Sequence, residues 1–254
     1  MQIIAIANQK GGVGKTTTAV NLSAGLAMKK KKVLLVDFDP QANATSGLGY
    51  NSEEYASSYE ALLGNQPLQD FIEETRIKNL DLVPAEMDLA GIEIEKAGQA
   101  DQILTLKNAL APLKEANAYD YCIIDTPPSL GILMTSALAA ADEVLIPLQC
   151  EWFGLEGLAK MVKVIKQISE SGTNPNLELK GILMTMYDGR TNLAKSVVSE
   201  VKSYFPNEIY NAIIPRTIKI GESPSHGLTI LEHDKSGTGA KAYLEAAKEF
   251  LSRH

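Results

Sequence analysis

Residues 10–17 read Lys-Gly-Gly-Val-Gly-Lys-Thr-Thr, directly after a short apolar run at residues 3–7 and directly before a helix-like stretch carrying Ala19, Leu22, Leu26 and Ala27. A strand that ends in a glycine-rich turn and restarts as a helix leaves few folds open. Gly11, Gly12 and Gly14 let the backbone wrap closely around a phosphate, so that its N–H groups and the following helix N-terminus face the anion. Lys15 adds a point charge for the β and γ oxygens, and the Thr16 hydroxyl suits a hard Mg²⁺ ion. Chance assembly of six specified residues in this order is on the order of 10⁻⁵ at average residue usage. An ordinary glycine turn is a poor alternative. The common form of this loop has glycine at the position of Gln9, and Lys10 has no task in it, so the chain carries a deviant Walker A loop whose extra lysine needs its own explanation.

Beyond the loop, short β-branched apolar runs alternate with amphipathic stretches of helical length, the pattern of a mainly parallel sheet covered by helices. The expected strands are residues 3–7, 33–36, 80–83, 121–124, 144–147, 179–184 and 209–214. The expected fold is α/β: a doubly wound, mostly parallel sheet of about seven or eight strands in one P-loop ATPase domain spanning residues 1–254. No repeat or Pro/Gly/Ser linker divides the chain. From 155 to 168 the helical period is plain, with Leu158, Met161, Val162, Ile165 and Ile168 on one face and Lys160, Lys163 and Lys166 away from it. Residues 51–100 are acidic and irregular, and are expected to cap one edge of the sheet with short helices and loops.

Two further sites carry acids where such a sheet binds ligands, beyond the carboxyl ends of its strands. The run 33–36 leads into Asp37 and Asp39, and the run 121–124 ends in Asp125, followed by Thr126, Pro127 and Pro128. The net charge of −7 argues against nucleic-acid binding by the whole surface. Between Lys180 and Lys219, however, six basic residues meet three acidic ones, a local reversal of sign. Cys122 and Cys150 lie in apolar contexts without metal or redox spacing and read as buried, reduced thiols. With no basic-then-apolar leader and no apolar run near 20 residues, the expectation is a cytoplasmic protein without membrane attachment.

The segments KGGVGKTT (10–17), DFDPQANATSGLG (37–49), IIDTPPSLG (123–131), PLQCEWFGLEGL (147–158), DGRTNL (188–193) and IPRTIKIGESPSHG (214–227) together closely resemble the ParA/Soj family of bacterial partitioning ATPases. The likeness runs over nearly the whole chain, and the last two segments discriminate best. It implies that Lys10 crosses to the phosphates of nucleotide held by the other subunit of an ATP-sandwich homodimer. It implies further that Thr17 contacts a phosphate, that Asp39 orients the attacking water, and that Asp37 and Asp125 hold Mg²⁺ partly through water. Pro215 and Arg216 match a segment bordering adenine. Arg190 and Lys219 match positions implicated in nonspecific double-stranded DNA binding. Lys195 and Lys202, seven apart on an expected helix, can join that patch or can be plain solvated surface. The family further implies a ParB-like centromere-binding activator, nucleoid association, and ATP and Mg²⁺ as cofactors. Because the first core strand begins at residue 2, no operator-binding helix-turn-helix domain is expected ahead of the loop.

Two other classes compete. A MinD-like membrane-positioning ATPase shares the loop but ends in a basic amphipathic membrane helix, whereas the tail KAYLEAAKEFLSRH mixes in Glu245 and Glu249 and reads as a docked helix. An iron–sulfur reductase needs paired cysteine ligands, which two isolated buried thiols do not offer. His226 has no nucleophile arrangement around it and reads as structural, and His233 and His254 form no metal spacing. The run Lys29 to Lys32 reads as the cationic end of the first helix.

Overall fold

Along every central strand, neighbouring side chains enter different cores. In the computed structural model, which describes residues 1–51, 58–99 and 101–253, Ile3, Ala5, Leu34, Val36, Cys122 and Ile124 pack into one apolar cluster, while Ile4, Ile6, Val33, Leu35, Tyr121 and Ile123 pack into a second. A strand buried on both faces needs apolar residues at every position. The continuous runs in the sequence therefore mark a sheet with helices on both sides.

The strands are β1 (Gln2–Ile6), β2 (Val33–Asp37), β3 (Glu73–Glu74), β4 (Leu80–Val83), β5 (Tyr121–Asp125), β6 (Glu143–Gln149), β7 (Glu178–Tyr187) and β8 (Ile209–Pro215). They form one eight-stranded sheet in the order β3-β4-β2-β5-β1-β6-β7-β8. Every pairing is parallel except that of β3 with β4. All seven expected strands are present. The eighth, β3, is two glutamates long, too short to show a period.

The helices are α1 (Lys15–Met28), α2 (Asn43–Gly47), α3 (Tyr59–Leu63), α4 (Ile92–Glu95), α5 (Thr105–Glu115), α6 (Ile132–Ala140), α7 (Trp152–Glu170), α8 (Asn192–Tyr204), α9 (Ile218–Glu222), α10 (Ile230–His233) and α11 (Thr238–Ser252), with short 3₁₀ turns between some of them. Side chains of α5 to α8 build the first core, and those of α1, α2, α10 and α11 the second. The stretch 51–100 is short helices, turns, β3 and β4, at the β3 edge as expected; residues 52–57, 100 and His254 lie outside the described residues.

The tail is docked. Tyr243, Ala246, Ala247 and Phe250 of α11 are buried, and Phe250 meets Tyr121 edge to face at 5.3 Å. Each such large aromatic contributes about 1.5–3 kcal/mol by leaving water. Helices α11 and α1 approach so closely that a Cβ on Gly25 would lie 2.9 Å from that of Ala247, which is why glycine stands there. At the far edge, the Glu249 carboxylate accepts hydrogen bonds from the backbone N–H groups of Asn211 and Ala212 on β8, both at 2.9 Å. Cys122 and Cys150 are free and buried; burial pushes the Cys150 thiol up to about 12 and raises that of Cys122 as well. His226 and His233 stack on each other, with ring centres 4.9 Å apart.

Candidate functional site

Parallel strands deliver their carboxyl ends to one rim of the sheet, and the residues singled out in the sequence gather there. Between β1 and α1 the backbone turns through left-handed conformations at Gly12 (φ 71°) and Gly14 (φ 89°), which glycine adopts without strain. Gly14 caps α1 without any side chain, so the first amides of the helix face the loop. Two buried threonines pin this turn to the neighbouring strands. Thr185 of β7 donates from its hydroxyl to the Val13 carbonyl at 2.8 Å, and Thr126 donates to the Ile6 carbonyl at 2.8 Å.

Lys15 is buried, and its ammonium donates to the Lys10 carbonyl at 3.3 Å. Burial lowers its pKa, while the carboxylates of Asp125 and Asp39 raise it. Those acids stand on the adjacent strands. Asp37 at the end of β2 and Asp125 at the end of β5 are direct register partners, and both are fully buried. Their surroundings differ. Asp37 accepts from the backbone N–H and hydroxyl of Thr45 at 2.8 and 2.7 Å, and from the Asp39 N–H at 3.3 Å. Neither oxygen of Asp125 meets a donor with full hydrogen-bond geometry, and the Thr16 hydroxyl is the group placed to favour its charged form.

A buried carboxylate without donors is costly, and its charged form needs a cation. Burial first, and the Asp37 charge second, push the Asp125 pKa well above the carboxylate range, with the Thr16 hydroxyl and Lys15 opposing them. Burial likewise pushes Asp37 up to about 6 against its three hydrogen bonds. A raised pKa means that the folded chain binds more protons than the unfolded one. From the ordinary 3.8 to about 6, Asp37 therefore withdraws stability as pH rises. The pair thus fits a divalent cation, with Thr16 at the first turn of α1 beside it. No cluster of three or more His, Cys, Asp or Glu side chains able to hold a metal occurs among the described residues.

Asp39 lies just beyond β2, almost buried, with its Oδ1 accepting from the Gln41 N–H at 3.0 Å. Lys10 takes another direction. Its ammonium pairs with Glu151 at 2.9 Å, half exposed, and its backbone N–H donates to Asn8 Oδ1 at 3.0 Å. Pro215 and Arg216 line a cavity of about 290 Å³ together with Gly14, Thr17, Met186 and Ile220. A flat base fits such a slot beside the phosphate loop.

The basic candidates divide. Arg216 N–H donates to the Tyr187 carbonyl at 3.0 Å, tying the end of β8 to that of β7 and placing the turn of Arg190 beside the segment that leads to Lys219. Arg190 is held by Asp188 at 2.6 Å, and Lys219 by Glu222 at 3.0 Å. Hydrogen bonds from Arg190 draw the Asp188 pKa down to about 2, but the pair lies in solvent and is readily exchanged for another anion. Lys195 and Lys202 are exposed on α8, opposite buried Ala194, Val197 and Val201. Lys195 is in the first turns, near Arg190, whereas Lys202 is about 10 Å further along the axis, away from the rim. Both lysines lie on the exposed side of α8, two turns apart.

Sequence reasoning passed over Asn8, Thr45, Glu151 and Thr185, and named Thr126 without giving it a task. Its available signal was a polar residue set inside an apolar run, as in ILMTMY around Thr185. Glu151 and Thr45 lie within quoted motifs without being singled out.

The family described as an AAA domain matches residues 1–179. The chain is 48% identical over 253 residues to the chromosome partitioning protein ParA of Myxococcus xanthus, covering 99% of this chain and 88% of that protein. It is also 48% identical over 249 residues to the sporulation initiation inhibitor protein Soj of Bacillus subtilis, covering 98% and 97%. Among solved structures, a cobyrinic acid a,c-diamide synthase of Mycobacterium smegmatis with bound ATP analogue and magnesium superposes with a TM-score of 0.87 at 36% identity, covering 99% of this chain and 94% of that one.

Proposed function

The chain belongs to the ParA/Soj family of partitioning ATPases, and from that premise we propose that it is a Mg²⁺-dependent DNA-segregation ATPase whose ATP-bound homodimer binds DNA without regard to sequence. The observation that carries the nucleotide half of this reading is the orphaned Asp125 carboxylate, buried beside Asp37 and Lys15 at the mouth of the glycine loop. Phosphoryl transfer asks a protein mainly for positioning and charge neutralisation. The amides of Gly11 to Thr17 and the N-terminus of α1 bind the phosphates, Lys15 neutralises them, and Asp39 orients water for in-line attack. Thr16, Asp37 and Asp125 would hold Mg²⁺, which would supply Lewis-acid polarisation of the phosphate oxygens. Thr17 contacts a phosphate, and Pro215 and Arg216 border the base. The whole of residues 1–254 acts as one ATPase domain in the cytoplasm, associated with the nucleoid and switched by a ParB-like centromere-binding activator. Membrane attachment is not part of the reading, since α11 spends its apolar face on α1 and Tyr121, and no described helix is long and apolar enough to cross a bilayer.

Lys10 is assigned to the partner's nucleotide. Its present pair with Glu151 is partly exposed, with 34% and 46% of the two side chains accessible, and such pairs are worth about 0–1 kcal/mol. A hydrogen bond to a charged phosphate is worth about 1.5–3 kcal/mol, so the lysine gains by leaving. In a two-fold dimer the contact is made twice. Lys10→Ala is expected to keep the nucleotide affinity of the monomer and to weaken ATP-dependent dimerisation by about a hundredfold. Size-exclusion chromatography with a nonhydrolysable analogue reads this directly, and an unaltered dimer peak contradicts the assignment.

The DNA half is tested by anisotropy titration of unrelated duplexes with ATP analogue and with ADP. A chain of net charge −7 whose Arg190 and Lys219 are each half-neutralised by a neighbouring acid binds DNA weakly alone. Dimerisation presents two patches. The expected result is binding with the analogue only, equal across sequences and steeply lost with salt. Arg190→Ala is expected to weaken all duplexes alike and to reduce the salt slope by roughly two per dimer, about 0.9 for each phosphate contact given up. Equal binding in the two nucleotide states, or preference for one sequence, overturns this half of the reading.

A further inference from the structure

We propose that Thr45 is the positioning residue of this site, holding the Asp37 carboxylate ready for Mg²⁺ and, through the loop it closes, setting the place of Asp39. This rests on the Mg²⁺-ATP reading above and goes beyond it, since Thr45 touches neither phosphate loop nor base pocket. The side chain is fully buried at the third residue of α2. Its hydroxyl has two partners of opposite sense. The oxygen accepts from the Ala85 N–H at 3.0 Å, just beyond β4, and the hydroxyl donates to Asp37 Oδ2 at 2.7 Å. A carboxylate only accepts, so the direction of the chain is fixed from Ala85 through Thr45 to Asp37. The Thr45 backbone N–H donates to the same oxygen at 2.8 Å.

The geometry closes a loop. Asp37 and Thr45 are its two ends, pinned together by both bonds, and Asp39 lies between them. Within the loop the Asp39 carbonyl accepts from the Ala42 N–H at 2.8 Å, its carboxylate accepts from Gln41, and Ala42 takes a left-handed turn at φ 51°. That non-glycine conformation persists only where the surroundings hold it. Releasing the Thr45 hydroxyl therefore loosens Asp37 and the turn that carries Asp39 together. Asp125 has no donor comparable to the paired Thr45 bonds on Asp37, so the orientation of the pair rests on Asp37. A residue that merely packs α2 would depend on the volume of this side chain; a positioning residue depends on its hydroxyl.

The discriminating set is Thr45→Val, Thr45→Ser and Thr45→Cys, read by binding of a fluorescent ADP analogue as Mg²⁺ is titrated, by kcat and KM for ATP at saturating Mg²⁺, and by thermal melting. Thr45→Val, which keeps the shape, is expected to need about tenfold more Mg²⁺ for half-maximal nucleotide binding, the scale of one hydrogen bond to a charged group. Its kcat should fall by about tenfold or more with KM nearly unchanged. Thr45→Ser should stay within about twofold of the parent in every readout. Should the valine variant not fold, Thr45→Cys against Thr45→Ser decides, because the two differ in donor strength at nearly equal size; the cysteine is expected to show the Mg²⁺ defect. A Mg²⁺ titration of Thr45→Val that superimposes on the parent, or a serine variant as impaired as the valine or cysteine one, overturns the inference alone. Parent protein whose nucleotide binding ignores Mg²⁺ overturns the reading of the site, and this inference with it.

Discussion

Asp39→Ala is expected to bind ATP within a few-fold of the parent chain and to hydrolyse it about a hundredfold more slowly. The expectation follows from what Asp39 does not touch. Its carboxylate holds only the Gln41 N–H of its own turn, while the phosphate loop is shaped by Gly12, Gly14, Val13 and Thr185 without it. Asp37, which answers to Thr45, keeps its donors when the Asp39 side chain is removed, since Asp39 reaches it only through the backbone N–H. Nucleotide binding therefore survives. What is lost is the group placed to orient water, and a nucleophile misplaced by about 1 Å costs on the order of 10²-fold in rate. Single-turnover hydrolysis against fluorescence binding separates the two effects. Parallel loss of binding and turnover would assign Asp39 to the fold of the loop instead.

Lys15→Ala should fail at the earlier step, with nucleotide affinity down by about a hundredfold and turnover undetectable as a result. The ammonium group faces Asp125 and Asp39 as well as the loop, and those two charges oppose the lowering of its pKa by burial. Its removal takes away the hydrogen bonds to the phosphates, about 1.5–3 kcal/mol for each charged contact, and also strips two near-buried acids of their neighbouring cation. The variant should accordingly melt below the parent in the absence of nucleotide, and the gap should narrow toward acid, where protonation relieves Asp125. Isothermal titration with ATP and melting curves at two pH values test both parts. Unchanged affinity would remove Lys15 from the phosphate site.

The contrast between Asp37 and Asp125 shows where sequence reading runs out. Both acids end apolar runs and were legible as a pair at the carboxyl ends of two strands, because a doubly buried strand announces itself and its last residue is a matter of counting. Which of the two is satisfied was not legible, since the donors to Asp37 come from Thr45, eight residues on, and the orientation of Thr45 depends in turn on the amide of Ala85 beyond another strand. The same holds for Lys10. Its excess over a simple loop was visible in the sequence, but its pairing with Glu151 arises only when β6 is laid beside β1. The patch around Arg190 was visible as a local surplus of basic residues; that Asp188 and Glu222 fold back on its two leading members is a matter of side-chain reach within single turns. β3 escaped for a plainer reason, having no length over which a period can show.

The Glu249 clasp on β8 has a bearing on life at high density. An open sheet of eight strands has two borders, and an unpaired border is a template on which another chain can add itself, rung by rung. Here one border is two glutamates long, and at the other a carboxylate already occupies the amides of Asn211 and Ala212. Molecules crowded side by side on a long polymer would meet at such borders constantly. With both blunted, the sheet borders offer little free backbone for edge-to-edge addition of another strand.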